Sequence, residues 1–276
     1  MGLIFDGIDI ENGFIIPLHV EAKLDYSFPE REYNSVHVPG RNGNILEDIG
    51  SYPNVEVIYQ LSCGTNGQFD YLSIARSIKD WLTKNPGYHV LRDTYEPDVF
   101  RFACFHSACT IGRVTDNGAR FQIQFDCMPQ KYYRSTYPPP EGQSTGYVML
   151  TSPNTSGQVD FSNPETRNSK PLIELSSSGF SHAGNDVFTM TFRATNIDTV
   201  TIVATIPGNA PSKIYIDSEL EEVYDESGTP RNSYVTLSNN KFPELPANKG
   251  ITIVTTGNFT GGAGRTIKIY PRFWTL

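Results

Sequence analysis

Residues 18–26, LHVEAKLDY, put Leu18, Val20, Ala22, Leu24 and Tyr26 on alternate positions. A period of two marks a strand with one buried face. The same alternation returns in NVEVIYQLSC, through Val55, Val57, Tyr59, Leu61 and Cys63. It returns again in RFQIQFDC, where Phe121, Ile123, Phe125 and Cys127 alternate with Arg120, Gln122, Gln124 and Asp126. VFRFACFH alternates less cleanly and reads as a strand buried on both sides. Among these strands, FDYLSIARSIKDWLTKN sets Leu72, Ala75, Ile78 and either Trp81 or Leu82 at helical spacing, one apolar face of an amphipathic helix. Asp70 or Ser73 offers a cap for it, and Asn85, Pro86 and Gly87 end it. The helix is expected to cover an open sheet or barrel.

YPPPEGQSTG, from Tyr137 to Gly146, interrupts the pattern and reads as a linker or extended crossover. It sets two domains, 1–137 and 138–276. Beyond it, KPLIELS, VFTMTFR, TVTIVATI, KIYID, NSYVTLS, GITIVTT and RTIKIYPRFW are short β-rich runs separated by Gly, Pro, Asn and Ser clusters. Short strands spaced by turns, with no helix between them, predict a β-sandwich. The fold class is therefore mainly β: an N-terminal barrel-like domain with one α-helix, then a C-terminal sandwich.

Composition narrows the partners. Twenty-two basic and 30 acidic residues give a formal charge of -8, against a protein that grips nucleic-acid phosphates. The imbalance is steepest from Met1 to Gln60, where Lys23, Arg31 and Arg41 face ten acidic residues. No run approaches the roughly 20 apolar residues that span a bilayer, so no membrane insertion is expected. The start, MGLIFDGIDIENG, lacks the basic flank and long apolar run of a secretory signal, so cytoplasmic folding is expected. In that compartment Cys63, Cys104, Cys109 and Cys127 are expected as reduced thiols, with Cys63 and Cys127 buried.

Catalytic signatures fail one by one. GFSHAG resembles a nucleophile elbow at Ser181, but Ala183 stands where the closing glycine belongs and no helix follows. GGAGRT resembles a phosphate loop, yet Phe259 occupies the first glycine's place, Arg265 the lysine's, and a strand follows. Cys104, His106 and Cys109 lie close together, but there is no Cys-x-x-Cys and no second Cys/His cluster to complete a zinc site. DSELEEVYDESG, from Asp217 to Gly228, lacks the spacing of a calcium loop and reads as a solvated charged hairpin. No catalytic, cofactor-binding or metal-binding residue is assigned, and the chain reads as a non-enzyme.

The densest cluster of turn residues is in NSVHVPGRNGNILEDIG. Pro39-Gly40 suits a turn needing positive φ at the glycine, and Asn42-Gly43 is a hairpin signal in its own right. Arg41 then projects from the tip, where it can reach a neighbouring subunit. VHVPGRNGNILEDIGSYPNVEV resembles the proline-glycine-arginine turn near the start of the distal tail proteins (Dit) of long, flexible-tailed bacteriophages. In the second half KIYIDSELEEVYDESGTPRNSYVTL, KFPELPANKGITI and the terminal IYPRFWTL resemble the end of the same family, in the same order. The chain departs from that pattern at PRFW, where a tryptophan pair is expected, and at LPANKGITI, which lacks a glycine directly after the proline.

The resemblance implies a structural virion protein of the baseplate hub. Its N-terminal domain, 1–137, would form a homo-hexameric ring, and its C-terminal domain, 138–276, would be a galectin-like sandwich outside it. The ring would join the tail tube protein to the tail tip, with its tail-associated and receptor-binding proteins, and would be assembled in the host cytoplasm. DNA would pass through its channel without specific binding. Pro39, Gly40, Arg41, Asn42 and Gly43 become the candidate subunit-contact turn. The alternative is a carbohydrate-binding module or adhesin that stacks host glycans on Tyr215, Tyr234, Tyr270 or Trp274. At the C-terminus, Pro271 should end the last strand near Tyr270. Two large rings would be left in water unless the tail is pinned. Phe273 or Trp274 is therefore expected to dock, on the N-terminal domain or the domain junction, with Arg272 at the rim.

Overall fold

The computed structural model describes every residue except 1, 15–16, 25, 65–70, 116–117, 152–155, 177–184 and 259–265. The protein is mainly β, built from antiparallel sheets. It divides into two compact units, Met1–Lys131 with Leu276, and Tyr132–Thr275. The chain passes between them before the proline cluster rather than in it.

In the first unit the main sheet runs in the order Ile8–Asp9, Leu3–Phe5, His89–Asp93, Val99–Cys104, Gly118–Tyr133, Val55–Gly64, His19–Lys23. Its centre shows why the alternation was legible. Val55, Val57, Tyr59, Leu61 and Cys63 stand directly opposite Cys127, Phe125, Ile123, Phe121 and Ala119. All ten side chains are buried in one cluster. The helix Tyr71–Thr83 packs its own apolar stripe into that cluster.

The stripe is not the one the spacing predicts. Ile74, Ile78, Trp81 and Leu82 are buried, whereas Leu72 is exposed and Ala75 is half-buried. Trp81 decides the rotation. Its ring lies edge-on to Phe5 and Phe14, and its indole N–H reaches the Phe5 carbonyl at 3.3 Å. A buried Trp needs a partner for that N–H. Of the two expected caps, Ser73 lies inside the helix and Asp70 falls outside the described residues.

The second unit is a sandwich of two five-stranded antiparallel sheets. One runs Val148–Thr151, Thr266–Tyr270, Leu172–Ser176, Lys213–Asp217, Glu222–Asp225. The other runs Ser156–Asn163, Lys249–Asn258, Asn185–Ala194, Ile197–Pro207, Val235–Leu237. Ile173, Leu175, Ile214, Ile216, Ile267 and Ile269 of the first meet Phe188, Met190, Phe192, Ile202, Ile206 and Ile253 of the second in one buried cluster. Residues 137–146 are not a loose linker. Gly142 donates to the Pro138 carbonyl at 2.9 Å and Gln143 to the Arg134 carbonyl at 2.8 Å. A Cβ at Gly142 would lie 1.7 Å from the Tyr137 carbonyl oxygen, so only glycine fits that turn.

Candidate functional site

The candidate turn caps a free-standing hairpin. Among the described residues, strands Tyr33–Val36 and Ile45–Asp48 pair only with each other, in the register Tyr33↔Asp48 through Val36↔Ile45. At the tip, the Arg41 N–H donates to the Val38 carbonyl at 3.1 Å, and Gly40 has φ +82°. Proline then glycine inside such a bond is a type II turn, whose third residue requires positive φ. Gly43, at φ +81°, completes the reversal, and Asn44 donates to the Ser35 hydroxyl at 2.8 Å. Pro39, Gly40, Arg41, Asn42 and Gly43 are all exposed. At the base, Arg31 forks onto Asp48, and Ile49 N–H meets the Glu32 carbonyl.

The arm is apolar where a solvated hairpin would be polar. Tyr33 is 49% exposed, Leu46 62% and Ile49 58%, with Val36 and Ile45 also open to solvent. The segment leading into it adds Phe28 at 75% and Tyr26 at 66%. The register puts Tyr33 and Leu46 on one face and Val36 and Ile45 on the other. Each face also carries polar residues, Ser35 and Asp48 on the first and Asn34 and Glu47 on the second, so apolar side chains stand exposed on both.

The C-terminal residues up to Thr275 belong to the second unit, and Leu276 to the first. The strand stops at Tyr270, before Pro271, which has no N–H for the ladder. Arg272 is 7% exposed and turns back at φ +52°. Its Nη1 and Nη2 fork onto Oδ1 and Oδ2 of Asp217 at 2.8 and 3.0 Å, and its guanidinium lies over the Tyr137 ring at 5.2 Å. Asp217, 1% exposed, also accepts from the N–H groups of Glu219 and Leu220. Burial opposes the charge on Arg272, but Asp217 outweighs it and the guanidinium's pKa is raised. Arg272 N–H bonds the Thr136 carbonyl at 2.9 Å, and Tyr133 N–H bonds the Phe273 carbonyl at 3.0 Å. Phe273 belongs to the sandwich core, and the Trp274 indole donates to the Asn168 carbonyl at 2.9 Å. Phe273 thus sits in the sandwich's own core, Trp274 is half-buried, and Arg272 is a buried member rather than a rim.

Residues 217–228 are the charged hairpin expected, with Glu219, Glu221 and Glu226 exposed, but its two aspartates are not solvated. Asp217 and Asp225 are both buried. Asp225 accepts from the Ser227 hydroxyl at 2.6 Å, from the N–H of Thr229 at 3.0 Å and from Arg231 Nε at 2.9 Å. These donors, the Ser227 side chain foremost, hold its carboxyl down at about 2. Asp217's partner could not be read locally, because Arg272 lies far along the chain, whereas the donors of Asp225 lie within six residues of it.

The four aromatics offered for glycan stacking are engaged within the unit. Tyr270 is buried, Tyr215 stacks on Tyr224 at 5.4 Å, Arg231 lies over Tyr234 at 5.8 Å, and Trp274 is bonded as above. Ser181 and the glycines of GGAGRT fall outside the described residues.

The four cysteines are free thiols, with Cys63 and Cys127 buried. Cys109 faces the Gln122 carbonyl at 3.5 Å. Cys104 and His106 come together with a residue the sequence reading passed over, Asp126. The Cys104 thiol is 3.8 Å from Asp126 Oδ2, and His106 Nε2 is 3.5 Å from the same oxygen. Partial burial and the Asp126 charge push the Cys104 thiol up. Only strand register brings Asp126 there, and local spacing carries no trace of it.

No protein-family model matches the chain, and no curated protein matches it in sequence. Its fold is similar to the crystal structure of SPP1 Dit (gp 19.1), presented as a paradigm of the hub adsorption apparatus in phages that infect Gram-positive bacteria. The two share 15% identity with a TM-score of 0.65, over 100% of this chain and 99% of that one.

Proposed function

We propose that this chain is a distal-tail hub protein of a long-tailed bacteriophage, a structural and non-enzymatic virion component. Six copies close into a ring that joins the tail tube protein to the tip and its receptor-binding apparatus. The observation that carries the reading is the arm. An isolated two-stranded ribbon is marginal in water, and this one exposes large apolar side chains on both faces. Such a surface fits one that is covered by a partner. An arm on one copy received by a different surface on the next is a head-to-tail contact, the kind that closes into rings. Pro39 to Gly43 is then the contact turn, with Arg41 at its tip. The fold likeness to SPP1 Dit over the full length supports the choice of assembly. The acidic excess before Gln60 suits a channel through which DNA slides without being held.

The test is mass in solution, by light scattering and negative-stain microscopy, alone and mixed with tail tube protein. Hexameric rings are expected, and replacing residues 34–47 by a short Gly-Ser link should leave monomers. A full chain that stays monomeric at every concentration and in the mixture sinks the reading.

A further inference from the structure

Cys104, His106 and Asp126 lie in the first unit, and their ligand atoms are all within 4.8 Å of one another. We propose that they form a binding site for a zinc-like divalent transition-metal ion, independent of the hub reading. The strands explain the convergence. Val99–Cys104, Gly118–Tyr133 and Val55–Gly64 are neighbours in the sheet. Phe125 and Cys127 point into the core, so Asp126 between them faces the other way. Cys104 ends the adjacent strand, and His106 follows two residues on.

The separations are compatible with a shared metal ion. With zinc–sulfur bonds of about 2.3 Å and zinc–nitrogen or –oxygen bonds of about 2.0 Å, tetrahedral ligands stand about 3.3–3.5 Å apart. The sulfur–oxygen and nitrogen–oxygen distances here are 3.8 and 3.5 Å. Thiolate, imidazole and carboxylate together select a borderline-soft ion over calcium or magnesium.

The surroundings are built as well. Asn54 Nδ2 donates to Asp126 Oδ2 at 2.9 Å and to the Tyr88 hydroxyl at 2.6 Å, which orients the carboxylate. Glu56 stands directly opposite Asp126 in register. Like charges so placed repel, and a cation between the strands would relieve them. A water would supply the fourth ligand. Binding displaces the Cys104 proton, so the thiolate and not the thiol meets the ion. The exposed His106 leaves the site open to entry.

The full chain, stripped with chelator and kept reduced, is titrated with cobalt(II). A thiolate-to-cobalt charge-transfer band with intense tetrahedral d–d absorption is expected at one ion per chain, and zinc should bleach it. Cys104→Ser should abolish the band, and Cys109→Ser should leave it intact. His106→Ala alters an exposed side chain and spares the fold, so it carries the test if Cys104→Ser misfolds. It should weaken binding at least about tenfold, as loss of a ligand or its support does. Zinc should also raise the melting temperature of the parent protein but not of His106→Ala. Absence of the band, its survival in Cys104→Ser, or unchanged affinity in His106→Ala each overturns the site.

Discussion

Two arginines follow prolines at turns, and they meet opposite environments. Arg41 comes two residues after Pro39, at the tip of an arm open to water. Arg272 comes directly after Pro271 and is enclosed by Asp217, Tyr137 and Thr136. A cation in water asks nothing of the fold and gives it little. A cation in the interior must be matched, because removing one partner of a buried pair strands the other charge. The C-terminal knot therefore belongs to the stability of the sandwich. The arm packs on neither core, and on the function proposed above its exposed apolar surface is left for assembly.

The knot side of this contrast gives the largest effects. Asp217→Ala should cost about 3–5 kcal/mol in urea denaturation by leaving the buried Arg272 guanidinium with only Glu219, whose Oε2 lies at 3.4 Å, in place of its two-point partner. A loss below a surface mutation's scale would mean that Arg272 escapes to solvent and the contrast collapses. Phe273→Ala should cost about 3 kcal/mol, the lower end for a core phenylalanine. Truncation after Tyr270 removes both supports and should lower the melting temperature more than either single change.

A pH titration sharpens the comparison within the sandwich. Asp225 is held at about 2 in the fold, against about 3.9 for an unfolded aspartate. A depressed carboxyl stabilises the fold fully above its unfolded value, and that contribution fades as pH falls toward 2. The urea midpoint of the parent protein should therefore drop between about pH 4 and 2 more steeply than that of Asp225→Asn. Equal slopes would show that the donors around Asp225 do not act through its charge.

The arm should give the smallest effect on the protomer. Leu46→Ser, at 62% exposure, should change unfolding by no more than about 0.5 kcal/mol while weakening self-association. A large loss of protomer stability would place Leu46 in a core and remove the contrast.

What the sequence made legible was periodic. The rows from Val55 to Cys63 and from Ala119 to Cys127 could be read as half-buried strands because each needs only its own alternation. The sandwich runs were legible for the same reason, and Pro39-Gly40 announced its turn through local φ requirements. The helix was found, but its face was rotated, since Leu72 and Ile74 fit the spacing equally and Trp81's contact with Phe5 chose between them. Charges buried against distant partners were not legible. Nothing near Asp217 announces Arg272, and nothing near Cys104 announces Asp126, because strand register over long separations brings them together.

The open turn at the arm's tip also makes the protein report on itself. Trypsin needs an accessible basic residue on a yielding backbone, and exposed loop tips are where such cuts concentrate. Arg41 meets that description in the lone protomer, while Arg272 and Lys131, both buried, do not. Cleavage after Arg41, followed apart from cuts at other exposed basic residues such as Lys84 and Lys241, thus becomes a clock for the assembly proposed above. Cleavage after Arg41 would be quick before the tip is seated and slow afterwards, and a nick there would sever the arm's two strands without touching either core.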